Sequence, residues 1–342
     1  MQCLQSFARI GGENLDDWLV NGTENGNVVT ICSSVVGLLQ GQRSDSACLF
    51  VGPLISTMLL RMPSLMGPCV PKVVESVLHR LQRCKMPLAS TKLVVVFVRL
   101  AAIDAQSAID LLYSVRCGAQ DHGEAAGGAT GLAVALHNWT LYHSELQGEY
   151  TIKMSTIGLM RVLSTLDSRL QEVIVTGREV FKNPDTITTR SRSRGSAPSE
   201  WTRCPVPIKI ITLLLDQYAE LQEAKREGGT GKACDGPPGD EFEGGEYDDD
   251  DDEYDDDGYD DEFEDEDGFD DDECFGADFG GIGGAPDEKD ARDDPLSRID
   301  LLQELGGFLK NLTTSDVGVS MIKSFVNEFS RRQLEVIRLC SA

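Results

Sequence analysis

The chain has 342 residues, of which 57 are Asp or Glu and 31 are Lys or Arg, so its formal net charge is −26 at pH 7. No stretch reaches the roughly 18 continuous apolar residues of a membrane-spanning helix, and the start, MQCLQSFARI, lacks the order of a signal peptide. Ten cysteines occur without a CxxC pair. This excludes a zinc site of that spacing and predicts buried, free thiols in a soluble intracellular protein.

Apolar residues recur at helical spacing from about Val28 to Lys182. The predicted helices are Cys48–Met62, Cys69–Cys84, Leu88–Ile103, Ala105–Val115, Leu132–Leu146, Tyr150–Leu166 and Ser168–Phe181. Two helices recur in about 40 residues, which is typical of HEAT or armadillo arrays. We therefore expect an all-α fold, a HEAT-repeat α-solenoid of antiparallel helix pairs, with helix pairs over residues 28–227 and a weakly defined helical remnant over residues 1–27.

The second half of the chain interrupts this pattern twice. A basic Ser/Arg loop is predicted over residues 183–204, before a strong helix from about Val206 to Lys225. Between Asp240 and Glu273, 24 of 34 positions are acidic. Such a run cannot bury enough apolar surface to order itself, so residues 228–294 are predicted to be a long disordered acidic loop. Two further HEAT-like helical stretches are predicted over residues 295–342, which makes the loop an insertion within the array.

The acidic run carries almost all of the net charge. Without its 24 acids the chain has 33 acidic and 31 basic residues. A concentrated negative field favours a basic protein partner, while direct binding of nucleic acid or an anionic membrane is disfavoured because both need Lys and Arg. A solvating linker and a self-masking segment remain as alternatives. The predicted cargo-binding residues are Asp248, Asp249, Asp250, Asp251, Asp252, Glu253, Asp255, Asp256, Asp257, Asp260, Asp261, Glu262, Glu264, Asp265, Glu266, Asp267, Asp270, Asp271, Asp272 and Glu273.

Aromatic residues recur through this run, which a purely solvating linker does not need. They could add apolar contacts to the charge pairing with a basic partner. In the preceding loop, Arg190, Arg192 and Arg194 alternate with serines. These arginines could contact the acidic loop or face cargo, and phosphorylation of the serines between them would weaken an Arg–Asp contact. A solvated loop is the alternative.

No pattern in the chain predicts catalysis, a cofactor or a metal site. Glu253, Asp255, Asp257, Gly258 and Glu264 match part of an EF-hand spacing. However, the first ligand position lacks Asp and no helices flank the match, so it is attributed to chance. The glycines of GGTGK at 228–232 lack the Ser or Thr of a phosphate loop. No histidines pair at ligand spacing, and His137, Trp139 and Tyr142 are predicted to pack between helices.

Four stretches resemble the C-terminal part of the importin-β (karyopherin-β) family of nuclear transport receptors. They are VGPLISTMLLR at 51–61, LVVVFVRLAAIDAQSAIDLLYSV at 93–115, TRSRSRGSAPSEWTRCPVPIKIITLLLDQ at 189–217 and DPLSRIDL at 294–301. The third is the most specific, because a basic Ser loop precedes Trp, Pro and a Leu/Ile-rich helix.

This resemblance implies a right-handed HEAT superhelix that carries basic cargo, such as core histones and ribosomal proteins, into the nucleus in a Ran-dependent cycle. Its partners would include nuclear pore proteins and the Ran GTPase, the latter mainly through N-terminal repeats that this chain is expected to lack. The protein would shuttle between nucleus and cytoplasm, and the acidic loop would shield cargo as a chaperone does. Two alternatives remain: a HEAT-repeat scaffold, and an acidic histone chaperone without a transport role.

Overall fold

The computed structural model describes residues 2–11, 26–118, 129–180, 200–229 and 291–341. The first seven α-helices are α1 (Gln2–Gly11), α2 (Asn27–Gln40), α3 (Val51–Arg61), α4 (Pro63–Met66), α5 (Val70–Leu81), α6 (Pro87–Ile103) and α7 (Ala105–Ser114). They are followed by α8 (Gly131–Tyr142), α9 (Glu149–Ser164), α10 (Arg169–Glu172), α11 (Val206–Gly229), α12 (Leu301–Thr314), α13 (Asp316–Ser324) and α14 (Arg331–Ser341). Short 3-10 helices cover Asp45–Cys48, Gly67–Cys69, His143–Glu145, Pro295–Arg298 and Val326–Glu328.

Prolines and side-chain caps set several helix boundaries. Helix α6 begins at Pro87. Proline is tolerated there because an N–H in the first turn of a helix has no hydrogen-bond partner within the helix. It ends before Asp104, whose carboxylate accepts a 3.1 Å hydrogen bond from the Ser107 amide and caps α7. The predicted helix Leu88–Ile103 is therefore confirmed to within one residue.

The helices stack in two rows. One row runs α1, α3, α6, α9 and α11, and each helix contacts the next; the other row contains α2, α5 and α8. Neighbours in the first row approach closely where glycine removes the side chain. A Cβ on Gly52 of α3 would lie 1.8 Å from the Lys92 carbonyl of α6, and one on Gly158 of α9 would lie 3.3 Å from the Val98 carbonyl. This stack of paired helices is the predicted all-α HEAT-repeat solenoid.

Helix α6 lies at the centre of the described stack. Leu93, Val94, Val96, Phe97 and Val98 are all fully buried, because α6 packs against α3, α8 and α9 on different sides. A helix that is covered all round needs apolar residues on every face. The β-branched run LVVVFV is thus a buried helix, as its helical flanks predict.

One prediction of a helix is wrong. Only Arg169–Glu172 of the expected helix Ser168–Phe181 is helical, and β1 (Ile174–Val180) follows it. This strand pairs antiparallel with β2 (Glu200–Pro205), which occupies the last part of the predicted Ser/Arg loop. Val175 and Cys204 face each other on the buried side. The β-branched residues of β1 find their partners 20 to 31 positions later in the chain, so local periodicity could not reveal the pairing.

The described cysteines are free thiols. Cys32, Cys48, Cys117, Cys204 and Cys340 are buried as predicted, whereas Cys3 is exposed. Burial raises the pKa of Cys32 to about 12 and that of Cys204 to about 11.

Among the described residues, no single helix has the length and apolar character to cross a membrane, although the bent pair Asp45–Arg61 and Pro63–Leu81 passes that test jointly.

Candidate functional site

All residues of the predicted cargo-binding run, from Asp248 to Glu273, lie outside the described residues, as do Arg190, Arg192 and Arg194. The partial EF-hand pattern at 253–264 lies outside them as well. The structure does describe the two places where the folded stack meets the acidic segment. These are the end of α11 and the return of the chain at residues 291–298.

The departure point lies beside the start of α12. The last turns of α11 expose Lys225 and Arg226, and these two residues line an open groove with Tyr218 and with Leu302 of α12. The end of α11 and the start of α12 are therefore close in space.

The return point is fastened by a buried carboxylate. Asp294 is only 3% exposed, and its Oδ1 accepts a 2.9 Å hydrogen bond from the Leu296 amide at the start of the 3-10 helix Pro295–Arg298. Its Oδ2 accepts hydrogen bonds from the Arg99 guanidinium and the Tyr150 hydroxyl. The residue that ends the acidic segment thus lies inside the helix stack.

Arg99 connects this carboxylate to two further helices. Its Nε donates to the Ser56 hydroxyl of α3 at 3.2 Å, and its Nη2 donates to the Tyr150 hydroxyl of α9 at 2.6 Å. Arg99 is 2% exposed. A buried arginine requires a charged partner together with hydrogen bonds for its remaining N–H groups, and Asp294, Ser56 and Tyr150 supply both.

Two more contacts flank the buried pair. The Arg61 guanidinium, at the end of α3, lies 2.5 Å from the Asp293 carboxylate. The Lys153 ammonium of α9 donates to the Ser297 carbonyl at 2.9 Å. Residues 293–297 therefore contact α3, α6 and α9 in turn.

Electrostatics keep this cluster ionised. Burial by itself would raise the pKa of Asp294, but the hydrogen bonds from Tyr150, Arg99 and the Leu296 amide outweigh it and hold the pKa below its usual value. Burial raises the pKa of Tyr150 well above that of a free tyrosine, so the hydroxyl keeps its proton. The Arg99–Asp294 pair is therefore charged throughout the physiological pH range, with Tyr150 as a neutral donor.

No sequence pattern predicted Arg99, Tyr150 or Asp294 as functional residues. Two signals were available: Arg99 is the one cation within the apolar run at 93–102, and Asp294 directly precedes Pro295 in a helix-capping arrangement. Neither signal identifies a partner. The two residues are 195 positions apart, so only the stacking of the helices brings them together.

The predicted packing of Trp139 is confirmed. Its side chain is 1% exposed, and the indole N–H donates to the Ser155 hydroxyl at 2.8 Å. The same hydroxyl shares a 2.9 Å hydrogen bond with Nδ1 of buried His143. Burial lowers the pKa of His143 to about 4, so this histidine is a neutral packing residue at physiological pH.

Three curated proteins are similar to parts of this chain. Importin-9 of Drosophila melanogaster is 25% identical over 233 residues, which is 66% of this chain and 21% of the relative. Importin subunit beta-5 of Saccharomyces cerevisiae is 28% identical over 182 residues, which is 53% of this chain and 17% of the relative. The Schizosaccharomyces pombe protein of the same name is 26% identical over 189 residues, 54% of this chain and 18% of that relative.

All three relatives are named importins, and two of them are named importin subunit beta-5. The chain is thus similar to importins over about half to two thirds of its length. This chain spans about a fifth of the length of the curated relatives that it matches. No family model matches it.

The strands β1 and β2 form a two-stranded ribbon that flanks the predicted Ser/Arg loop. The Thr202 hydroxyl of β2 donates to Glu328 at 2.6 Å and accepts a 2.8 Å hydrogen bond from the Arg178 amide of β1. The bond to Glu328 attaches the ribbon to the 3-10 helix Val326–Glu328. Trp201, on the other face, is 52% exposed. The ribbon therefore presents both ends of the Ser/Arg loop from one fixed position on the stack.

Proposed function

We propose that this chain is part of a nuclear import receptor and holds basic protein cargo through the acidic run Asp240–Glu273. The observation that carries the proposal is the concentration of charge in one inserted segment of a chain related to importins. Core histones and ribosomal proteins are the cargo class that fits, since they are strongly basic and need shielding from other polyanions. The proposed protein is a carrier and not an enzyme.

The charge distribution supports this assignment. The described ranges contain 25 Lys and Arg and 21 Asp and Glu, whereas Asp240–Glu273 contains 24 acids and no base. The folded stack is thus nearly balanced, and the long-range field originates from the acidic segment. Such a field speeds association with a basic partner and weakens as salt screens it.

The anchoring of the segment also supports the proposal. Its downstream end is held by Asp294 inside the stack, and its upstream end continues from α11. A charged segment that is tied at both ends has a higher effective concentration near the helical surface than a free tail. Cargo bound by the acidic run would therefore meet the helical surface of the solenoid at the same time.

A binding experiment with a variant of matched length and neutral charge tests the proposal. The affinity of the whole chain for a core histone dimer would be measured at several salt concentrations, beside a variant in which the 24 acids of Asp240–Glu273 become Asn or Gln. This variant keeps the loop length and removes only the charge. We expect it to bind at least tenfold more weakly at low salt and to lose most of the salt dependence.

Two other binding results would contradict the proposal. Equal binding by both proteins would move the cargo contact to the helical surface and contradict the role of the acidic run. Absence of binding by both would contradict cargo holding by this chain and favour a HEAT-repeat scaffold. Because Ran is expected to act mainly through repeats outside this chain, adding its GTP form should change the measured affinity little.

The same proposal includes shuttling of the protein between nucleus and cytoplasm and its contact with nuclear pore proteins. Import of a labelled histone dimer in permeabilised cells tests them, with the full-length receptor as the carrier. We expect the charge-neutral loop variant of that receptor to import less histone. Unchanged import would favour a chaperone function of the run that is separate from transport.

A further inference from the structure

The stretch Asp293–Ser297 crosses three helices that succeed one another in the first row. Asp293 pairs with Arg61 of α3, Asp294 with Arg99 of α6, and both Asp294 and Ser297 are bound by α9 through Tyr150 and Lys153. Packed helices lie about 8–10 Å apart, so three of them span roughly 20 Å. Residues 295–297 begin the 3-10 helix Pro295–Arg298 and so cover only part of this span. The long side chains of Arg61, Arg99 and Lys153 reach the stretch from the three helices.

A helical stack has few such crossing connections. In a solenoid each repeat contacts mainly its neighbours, so the array bends and stretches by small changes at every interface. Here the side chain of Arg99 donates to Ser56 of α3 on one side and to Tyr150 of α9 on the other. The connection therefore joins α3 to α9, which are next-nearest neighbours in the row.

We propose that Asp293–Ser297 is a clasp that fixes the spacing of α3, α6 and α9 and holds the downstream end of the acidic segment on this part of the stack. The clasp closes on side-chain groups with directional hydrogen bonds, so a change in helix spacing would break them. It requires no cargo and is independent of the proposed transport role.

The buried ion pair of the clasp is less sensitive to salt than the acidic run. Arg99 and Asp294 are 2% and 3% exposed, and buried charges are screened little by salt. The clasp should therefore stay closed at salt concentrations that abolish binding by an exposed acidic run. Breaking it from one side is costly, because the remaining partner would be a buried and uncompensated charge.

Hydrogen exchange on the whole chain tests the clasp. The Asp294→Asn variant removes the carboxylate charge and keeps the amide oxygen that can cap Leu296. Asp300→Asn is the matched control. Asp300 is exposed, and its carboxylate caps α12 by accepting a 3.1 Å hydrogen bond from the Gln303 amide. Tyr150→Phe is a milder second variant that removes the two hydrogen bonds of the Tyr150 hydroxyl, with Arg99 and Asp294, and keeps the ion pair.

We expect amides in 296–298, at the end of α3 and in the first turns of α9 to exchange at least tenfold faster in Asp294→Asn, with a smaller effect in Tyr150→Phe. Protection in α2, α5 and α14 should stay within twofold of the unmodified chain. A destabilised reference, Ser155→Ala, alters the buried Trp139 contact in the same stack and should accelerate exchange without that local pattern.

Two results would overturn the proposal. If Asp294→Asn behaves like Asp300→Asn, residues 293–297 do not hold the helices. If it accelerates exchange evenly, as expected for Ser155→Ala, Asp294 contributes stability without acting as a local clasp. Should Asp294→Asn fail to fold, the pattern in Tyr150→Phe decides between the same outcomes.

Discussion

Replacing Gly52 with alanine should push helix α3 away from helix α6. The new Cβ would lie 1.8 Å from the Lys92 carbonyl oxygen of α6, whereas real Cβ atoms essentially never come closer than 3.0 Å. The contact is with backbone, so no side chain can rotate away. Helix α3 must therefore move by at least about 1 Å relative to α6, because nothing smaller relieves the overlap.

Such a movement affects a well-packed interface. Leu54, Ile55 and Met58 of α3 are at most 2% exposed, and a gap of 0.5–1 Å removes roughly a quarter to a half of each dispersion contact. Overpacking of a core costs about 1–3 kcal/mol. Because the overlap here is with backbone, we expect the free energy of unfolding to fall by about 3 kcal/mol, the upper end of that range.

Gly37 is the matched control. It lies on an exposed face of α2, and a Cβ there meets nothing within 4 Å. Gly37→Ala should raise the free energy of unfolding by about 0.5–1 kcal/mol, because alanine loses less backbone entropy in a helix. Urea unfolding followed by circular dichroism would measure both variants. The reasoning would be refuted if Gly52→Ala were as stable as the unmodified chain, or if both variants lost similar stability.

Three further perturbations test other parts of the described stack. His143 has a pKa of about 4 when folded and about 6.5 when unfolded, so the unfolded chain binds more protons between these pH values. The free energy of unfolding should therefore fall by up to about 3 kcal/mol as the pH drops from 6.5 to 4. In urea titrations, His143→Gln should remove that part of the pH dependence. Ser155→Ala leaves the buried Trp139 N–H without its acceptor and should cost about 2–3 kcal/mol in the same assay; a loss below about 0.5 kcal/mol would contradict this assignment. Thr130 caps α8 by accepting a hydrogen bond from the Ala133 amide at 3.2 Å, so Thr130→Ala should cost about 1 kcal/mol and Thr130→Ser much less; equal losses would argue against the cap.

Local patterns were enough to predict most helices. Pro87 and Asp104 mark the ends of α6 in the sequence, and the structure places the helix between them. Such signals act within one or two turns, so they can be read without a partner. The acidic composition of Asp240–Glu273 is equally local, and it predicts a solvated segment whatever the remaining chain does.

The β-ribbon and the clasp could not be predicted in this way. Strand β1 becomes a strand because Ile174–Val180 pairs with Glu200–Pro205, and the alternative, a continued helix, satisfied the local pattern equally well. Arg99 is an isolated cation in an apolar helix until Asp294, Tyr150 and Ser56 surround it.

The sequence by itself determined that this chain is a helical-repeat protein with one strongly acidic insertion, because helix periodicity and charge density are properties of neighbouring residues. Only the tertiary structure decided where that insertion is fastened and which helices it connects. Those contacts join residues as far as 195 positions apart, and a buried ion pair forms only after the helices have stacked and excluded water from both partners.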